Sequence, residues 1–376
     1  MRIDRRQFLK KAGVAGIVLA GAACAPAVAP TTVPSPAPTK PAASSAVTPT
    51  AAPAVAAPTF KPATVHFGSI KSTSDAGVFI ANDRGYFKEQ GITLDLQLFG
   101  SGAAMLAPLS SGDLDCYGSS LATGILNAID RGIGLKIVAD KGTSGPGFEY
   151  AQTVIRKDLW DGGQIKDVKD LKGKKFGVTS LAGSSEAFVA YLMKQASLTV
   201  KDVELVAIPY SDMITALANK GLDVADMTEP TLSTVVSQNL AVMWPKGPRS
   251  ETYGGVYQAG ELIFSAQFAQ NIDVARRFMV AYLKGVRDYN DAFAKGKGKA
   301  DIVAILINNT ALKDPKQYDS MRMPGLNPDG KLAMPGMNMD LDYFKQAGYY
   351  TGKLTINDIV DTQFVDYAAK QLGPYK

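Results

Sequence analysis

Short apolar runs recur along the chain, and stretches with helical spacing separate them. The run TVHFGSI at 64–70 predicts a first strand, and TLDLQLF at 93–99 alternates strictly and predicts a second. GLKIVAD at 134–140 predicts a further strand of the same region. Strands that alternate with helices in this way are typical of α/β proteins, in which helices cover a mostly parallel sheet.

The same order of elements occurs twice. The stretch 103–120, AAMLAPLSSGDLDCYGSS, predicts a helix, a turn and a short strand, and the stretch 211–230, SDMITALANKGLDVADMTEP, repeats that order. Between them, 174–196 predicts a strand, a glycine-containing loop and a helix. The repetition indicates two α/β lobes built on one plan.

The pattern changes after about residue 250. The run at 255–269 predicts a strand that returns to the first lobe, and a long helix is predicted from Asp273. One stripe of that helix is apolar and predicts a core face: Val274, Phe278, Tyr282, Val286, Tyr289 and Phe293. We therefore expect lobe I at 62–145 and 252–376, lobe II at 146–251, and two crossovers that act as a hinge.

The first 23 residues predict an export signal, since a charged opening precedes an apolar run that is too short for a permanent membrane span. Arg5 and Arg6 resemble the twin-arginine export motif, although Asp4 stands where that motif usually has Ser or Thr. The leader carries most of the formal net charge of +5, so the rest of the chain is nearly neutral and nucleic-acid binding is not expected.

The sequence GAAC, which ends at Cys24, resembles a bacterial lipobox, with Gly21 where that motif prefers Leu. Residues 24–61 are rich in Pro, Ala and Thr, a composition that predicts a disordered tether. We expect lipidated Cys24 to hold the protein at the outer face of the cell membrane. The alternative is ordinary cleavage, with Cys24 lost or inert.

The residues from Gly85 to Ser120, beginning GYFKEQGITLDLQLFGSG, resemble the periplasmic binding proteins for nitrate, sulfonates and thiamine-pyrimidine precursors. VKDLKGKKFGV at 168–178 and FMVAYLKGVRDYNDAF at 278–293 resemble later parts of the same family, as does the stretch 325–373. The resemblance implies a type II periplasmic binding protein fold. It also implies that the protein delivers a small molecule to the permease and ATPase of an ABC importer. A monomer is expected.

Polar residues at the carboxyl ends of the predicted strands are the candidate ligand contacts, because open α/β sheets bind ligands there. In lobe I they are Ser69, Lys71, Ser72, Asp75, Ser101, Gly102, Tyr117, Ser119 and Ser120. In lobe II they are Ser180, Gly183, Ser184, Ser185, Tyr210 and Glu229. Asp75 and the serines have a structural alternative as helix caps, and Glu229 as a charge at a helix start.

Several aromatic residues fall near strand ends or crossovers and are candidates for stacking on a flat ligand: Tyr117, Phe148, Tyr150, Tyr253 and Tyr257. Because Lys71 is the one cation among the loop candidates, a neutral heteroaromatic ligand is expected, with riboflavin ahead of a thiamine pyrimidine precursor. An anion such as a sulfonate, taurine or nitrate is the alternative, held by backbone N–H groups.

Catalysis is not expected, although an enzyme of similar fold, the thiamine-pyrimidine synthase type, resembles this class. His66 is the single histidine and Cys116 the one cysteine after Cys24, so no acyl-transfer triad, zinc site or disulfide is expected, and no cofactor.

A methionine cluster at 321–339 raises copper carriage as a minor alternative. A ligand sensor needs the same hinge as an importer component, and the sequence does not separate these two functions.

Overall fold

The computed structural model describes residues 60–376; the leader, Cys24 and nearly all of the expected tether lie outside this range. The described part contains ten strands: β1 Ala63–Ser69, β2 Ile92–Leu98, β3 Cys116–Ser119, β4 Lys136–Ser144, β5 Ala151–Arg156, β6 Lys175–Val178, β7 Glu204–Ala207, β8 Val224–Thr228, β9 Ala241–Pro248 and β10 Tyr257–Phe264.

Sixteen α-helices accompany the strands in this range: α1 Ala76–Asp83, α2 Tyr86–Glu89, α3 Gly102–Ser111, α4 Thr123–Asp130, α5 Lys157–Asp161, α6 Ser184–Lys194, α7 Tyr210–Ala218, α8 Thr231–Ser237, α9 Arg249–Tyr253, α10 Ala266–Gln270, α11 Ile272–Lys295, α12 Lys299–Asn309, α13 Gln317–Ser320, α14 Met334–Gln346, α15 Ile356–Ile359 and α16 Gln363–Leu372. Short 3-10 helices lie at Thr73–Asp75, Val168–Leu171 and Val200–Asp202. None of the described helices is long and apolar enough to span a membrane.

The strands form two five-stranded sheets of equivalent topology. Sheet I has the order β2-β1-β3-β10-β4, and sheet II has the order β7-β6-β8-β5-β9. Four strands of each sheet run in one direction, while β10 in sheet I and β5 in sheet II run antiparallel to both neighbours. The expected α/β fold with two sheets is confirmed.

Two connections link the sheets. The chain leaves sheet I at the end of β4 and enters sheet II through β5, and it returns from β9 through α9 to β10. The connections touch, since the backbone N–H of Ser250 donates a hydrogen bond to Glu149 Oε1 at 3.3 Å. The exact lobe boundaries remain a prediction.

Each sheet is buried on both faces, which explains the continuous apolar runs in its strands. In β10, Leu262 and Phe264 point into the core that contains α11, while Ile263 points into the core on the opposite face. In β5, Val154 and Ile155 divide in the same way between the two cores of sheet II. The strand period of two residues places consecutive side chains in different cores.

Helix α11 carries the apolar stripe expected from the sequence. Val274, Phe278, Tyr282, Val286 and Tyr289 are buried, and Phe293 is half-buried at the edge of the same core. Helix α11 packs against α1 with the two backbones in contact. A Cβ on Gly285 would lie only 2.1 Å from the carbonyl oxygen of Gly77.

We expect Gly285→Ala to lower the free energy of unfolding by about 1–3 kcal/mol or more, because α1 and α11 must separate to admit a methyl group. Gly255→Ala is the matched control, since a Cβ there meets no atom within 4 Å. Urea denaturation followed by circular dichroism measures both variants. Equal midpoints for the two would contradict the close packing of α1 on α11.

Candidate functional site

A cavity of about 260 Å³ lies at the carboxyl ends of strands from both sheets. The loops that follow β1, β2 and β3 line it from sheet I, and the loop after β6 lines it from sheet II. Open α/β sheets bind ligands at this edge, so this cavity is the candidate site. A second cavity of about 430 Å³, along α11 and residues 318–326, does not lie at these strand ends.

Four helices begin at the cavity. The first residue of each lines it: Gly102 of α3, Thr123 of α4, Ser184 of α6 and Tyr210 of α7. The Ser101 side chain caps α3, whereas the other three helices have no side-chain cap. Helix N-termini carry a partial positive charge and N–H groups without intrahelical partners, so their convergence makes the cavity attractive to electronegative groups. Two of these groups, the N–H of Thr123 and the N–H of Ser184, already donate to backbone carbonyl oxygens.

Lys141 of β4 is the one charged side chain among the described residues that line the cavity. Its ammonium group is buried, lies 2.8 Å from Asp75 Oδ1 and donates a hydrogen bond to Ser74 Oγ at 2.9 Å. Gly118 leaves room for this side chain, because a Cβ at that position would lie 1.9 Å from Lys141 Cε. A buried charge requires such a partner.

The loop after β1 fixes the Asp75 carboxylate. Ser69 Oγ donates a hydrogen bond to Asp75 Oδ2 at 2.6 Å, and the backbone N–H of Lys71 donates to Ser69 Oγ at 2.9 Å. Asp75 occupies the N-cap position of α1, but its side chain makes no capping hydrogen bond. The carboxylate therefore serves Lys141 instead of the helix.

Three tyrosines line the cavity: Tyr117, Tyr150 and Tyr210. Burial raises the pKa of Tyr117 and of Tyr150, and it raises the pKa of Tyr210 to about 12, with the Asp226 charge adding to the effect. All three phenols consequently keep their protons near neutral pH. They offer O–H donors and aromatic faces to a ligand.

The loops of the two sheets are joined beside the cavity. The Ala182 carbonyl oxygen accepts hydrogen bonds from Thr123, from the backbone N–H at 3.1 Å and from Oγ1 at 2.9 Å. The Ser184 N–H donates to the Leu121 carbonyl oxygen at 3.2 Å. These bonds close the space between the sheets on one side of the cavity.

The structure brings together at the cavity eight of the ligand contacts predicted from the sequence: Ser101, Gly102, Tyr117, Ser119, Ser120, Ser180, Ser184 and Tyr210. Ser72 and Tyr150, two of the other candidates, also line it. Six further predicted contacts are not among the lining residues: Ser69, Lys71, Asp75, Ser185, Glu229 and Tyr257. Ser69, Lys71 and Asp75 instead form the loop that holds Lys141.

The other three have partners of their own. Ser185 Oγ donates to Asp226 Oδ2 at 2.7 Å, and Tyr257 OH donates to Asp340 Oδ2 at 3.0 Å. Glu229 accepts hydrogen bonds from the backbone N–H and the hydroxyl of Ser233. Burial raises the pKa of Glu229 to about 7. The hydrogen bonds to Ser233 place the Glu229 carboxylate at the start of α8. This position fits the structural alternative given above, a charge at the start of a helix.

The sequence interpretation missed Lys141, Ser74, Thr179 and Thr228. It ended the fourth strand at Asp140, but β4 continues to Ser144 and places Lys141 inside a fully buried segment. The available signal for Lys141 was a lysine within a run of small residues that continues a buried strand, because a buried charge needs a function or a partner. No group of three His, Cys, Asp or Glu side chains within 60–376 is placed to hold a metal ion.

The chain is similar to a binding protein of Brucella abortus, with 24% identity over 260 residues, which cover 67% of this chain and 76% of the relative. Its fold is similar to that of the alkanesulfonate-binding protein SsuA from Xanthomonas axonopodis pv. citri bound to MOPS, with a TM-score of 0.64 and 16% identity. That match covers 81% of this chain and all of the other.

Two further structures share the fold. The periplasmic nitrate-binding protein NrtA from Synechocystis PCC 6803 matches with a TM-score of 0.64 and 14% identity, over 83% of this chain and 89% of that one. The desulfurization enzyme DSZB matches with a TM-score of 0.56 and 13% identity, over 82% of this chain and 99% of that one. At these identities the structures establish the fold alone, which is that of periplasmic binding proteins.

The family described as NMT1/THI5-like matches residues 72–293, which is more than half of the chain and contains every lining residue of the cavity except Ile70. This agrees with the family resemblance found in the sequence. The protein belongs to the NMT1/THI5-like family.

Proposed function

We propose that the protein is the substrate-binding component of an ABC import system and that it binds a small molecule with an anionic head group. The observation that carries this proposal is the convergence of four helix N-termini and Lys141 on one cavity between the sheets. Such a site stabilises negative charge through oriented N–H groups and one ammonium group.

The remaining lining supports an anion over a cation. The described lining residues include no carboxylate, while hydroxyl groups that do not already donate to a backbone carbonyl oxygen are numerous: Ser72, Ser74, Ser101, Tyr117, Tyr150, Thr179, Ser180, Ser184, Tyr210 and Thr228. A cationic ligand would find no opposite charge here. The structural likeness to proteins that bind alkanesulfonates and nitrate points to the same class of ligand.

A heteroaromatic ligand is the second candidate, because Tyr117, Tyr150 and Tyr210 present aromatic surface to the cavity. The volume of about 260 Å³ lies below the usual range of about 300–1,000 Å³ for ligand pockets. This size favours a single-ring pyrimidine over riboflavin, whose three fused rings need more space. Riboflavin stays a prediction that titration tests.

Capture and release follow from a hinge at the two connections between the sheets. A ligand that contacts loops of both sheets stabilises the closed arrangement, in which Thr123 and Ala182 are bonded across the cleft. The permease and ATPase of the importer then receive the ligand from a monomeric carrier. A ligand sensor would use the same motion; permease and ATPase genes beside the gene of this protein would distinguish import from sensing.

The proposed location is the outer face of the cell membrane, with a lipid on Cys24 and residues 25–61 as a spacer.

Binding without catalysis is part of the proposal, since the Lys141 amine is held by Asp75. His66, the one histidine of the chain, lies on β1 beside Asp95 and does not line the cavity.

We expect the purified exported protein to bind ethanesulfonate in isothermal titration calorimetry. Lys141→Met removes the cation and should weaken binding by about 10- to 150-fold, corresponding to about 1.5–3 kcal/mol for a charged hydrogen bond. Lys71→Met is the matched control, because Lys71 does not line the cavity, and it should bind like the unmodified protein. If riboflavin or the thiamine pyrimidine precursor binds while ethanesulfonate and nitrate do not, the anion proposal is wrong.

Cys24→Ser should move the protein from the membrane fraction to the soluble exported fraction, because the cysteine carries the proposed lipid. Cys116→Ser is the control, since Cys116 is buried within β3 and has no part in anchoring. Cell fractionation and immunoblotting of cells that produce the full-length chain measure the distribution. An unchanged membrane fraction for Cys24→Ser would contradict the lipid anchor.

A further inference from the structure

We infer that Asp75 sets the charge which the cavity accepts, so that the site takes monoanions with an uncharged apolar tail and discriminates against dianions and zwitterions. This inference rests on the proposed function, because it names the substrate class of the same cavity. Alkyl and aryl sulfonates fit the description, whereas sulfate, phosphate monoesters and taurine do not.

The ion pair leaves the floor of the cavity without net charge. Lys141 contributes one positive charge, and the Asp75 carboxylate 2.8 Å away contributes one negative charge. Both side chains are buried, so water screens neither of them strongly. The positive potential that remains comes from helix N-termini, each equivalent to roughly half an elementary charge. That potential suits one negative charge on the ligand.

Among residues 60–376, Asp75 has no alternative cationic partner that would free Lys141. Its Oδ2 atom is held by Ser69, and it makes no capping bond to α1, so the carboxylate stays beside the ammonium group. A second negative charge on a ligand would therefore lie near a fixed carboxylate with no further cation to balance it. Repulsion between like charges at short range, in a poorly screened site, opposes the binding of dianions.

A second buried carboxylate acts in the same direction. Asp140 precedes Lys141 in β4 and accepts hydrogen bonds from the Gly142 N–H at 2.8 Å and from Gln258 Nε2 at 2.7 Å. The Asp140 carboxylate adds negative charge behind the lining and supplies no cation to a ligand, whereas burial raises the pKa of Glu261 well above its usual range and disfavours a charge there.

The aliphatic side chains of the lining determine which tail the site accepts. Ile70, Leu106, Leu121 and Ile125 present aliphatic surface, and the described lining offers no carboxylate to a ligand ammonium group. Transfer of an ammonium group from water into such surroundings is unfavourable without a partner. An alkyl or aryl tail instead gains from leaving water. Ethanesulfonate is thus preferred to taurine, which differs from it by an amino group.

Competition calorimetry with ethanesulfonate, sulfate and taurine tests the inference on the purified exported protein. We expect ethanesulfonate to bind at least about tenfold more tightly than either of the other two. Asp75→Asn should reduce the preference for ethanesulfonate over sulfate by about tenfold or more. Asp83→Asn is the charge-matched control, since Asp83 is exposed on the same helix α1, and its preference should stay unchanged.

The double variant Asp75→Asn/Lys141→Met covers the case in which the single variant does not fold. It removes both charges, so its affinity for ethanesulfonate should fall while the preference over sulfate is retained. If the double variant loses the preference for ethanesulfonate over sulfate, the inferred role of the net charge of the Asp75–Lys141 pair is wrong. Equal binding of ethanesulfonate and sulfate by the unmodified protein overturns the inference but leaves the proposed function intact. Absence of binding for every anion tested overturns the proposed function itself.

Discussion

The exchange of one strand between the two halves is the constraint on which this structure depends. Strand β5 completes sheet II directly after the chain leaves sheet I, and β10 completes sheet I after the return. Both strands run antiparallel to their neighbours, so the parallel strands of each sheet keep their carboxyl ends at one edge. The two connections hold those edges together, and the cavity with its four helix N-termini follows from that arrangement.

A buried ion pair in such a place has an energetic cost, because two charges leave water. The chain offsets that cost with Ser69 and Ser74 as hydrogen-bond partners, and with Gly118 as the space through which Lys141 passes. Stability alone does not require this pair, since apolar residues of similar volume often replace such pairs without loss. The position of Lys141 in the cavity lining therefore points to recognition of a ligand.

The sequence predicted the fold well, because periodicity reports burial directly. The stripe of α11 and the repeated order of strand and helix were both sufficient to place these elements. The site was predicted less completely. Loop serines before helices were identified, since chain order places them at strand ends, whereas Lys141 lies within a strand and meets Asp75 only through tertiary packing. Lys71 was predicted as the cation of the site because its position in a loop at a strand end was the criterion available from the sequence. The contact of Asp75 with a lysine inside a strand was not predicted.

The most direct measurement of the central claim is a crystal structure of the protein with 2-bromoethanesulfonate, using the anomalous signal of bromine to locate the ligand. We expect a bromine peak among the aliphatic side chains of the cavity, with the sulfonate density at Lys141 and the starts of α3, α4, α6 and α7. A peak on the protein surface, or a cavity without ligand density at saturating concentration, would contradict it.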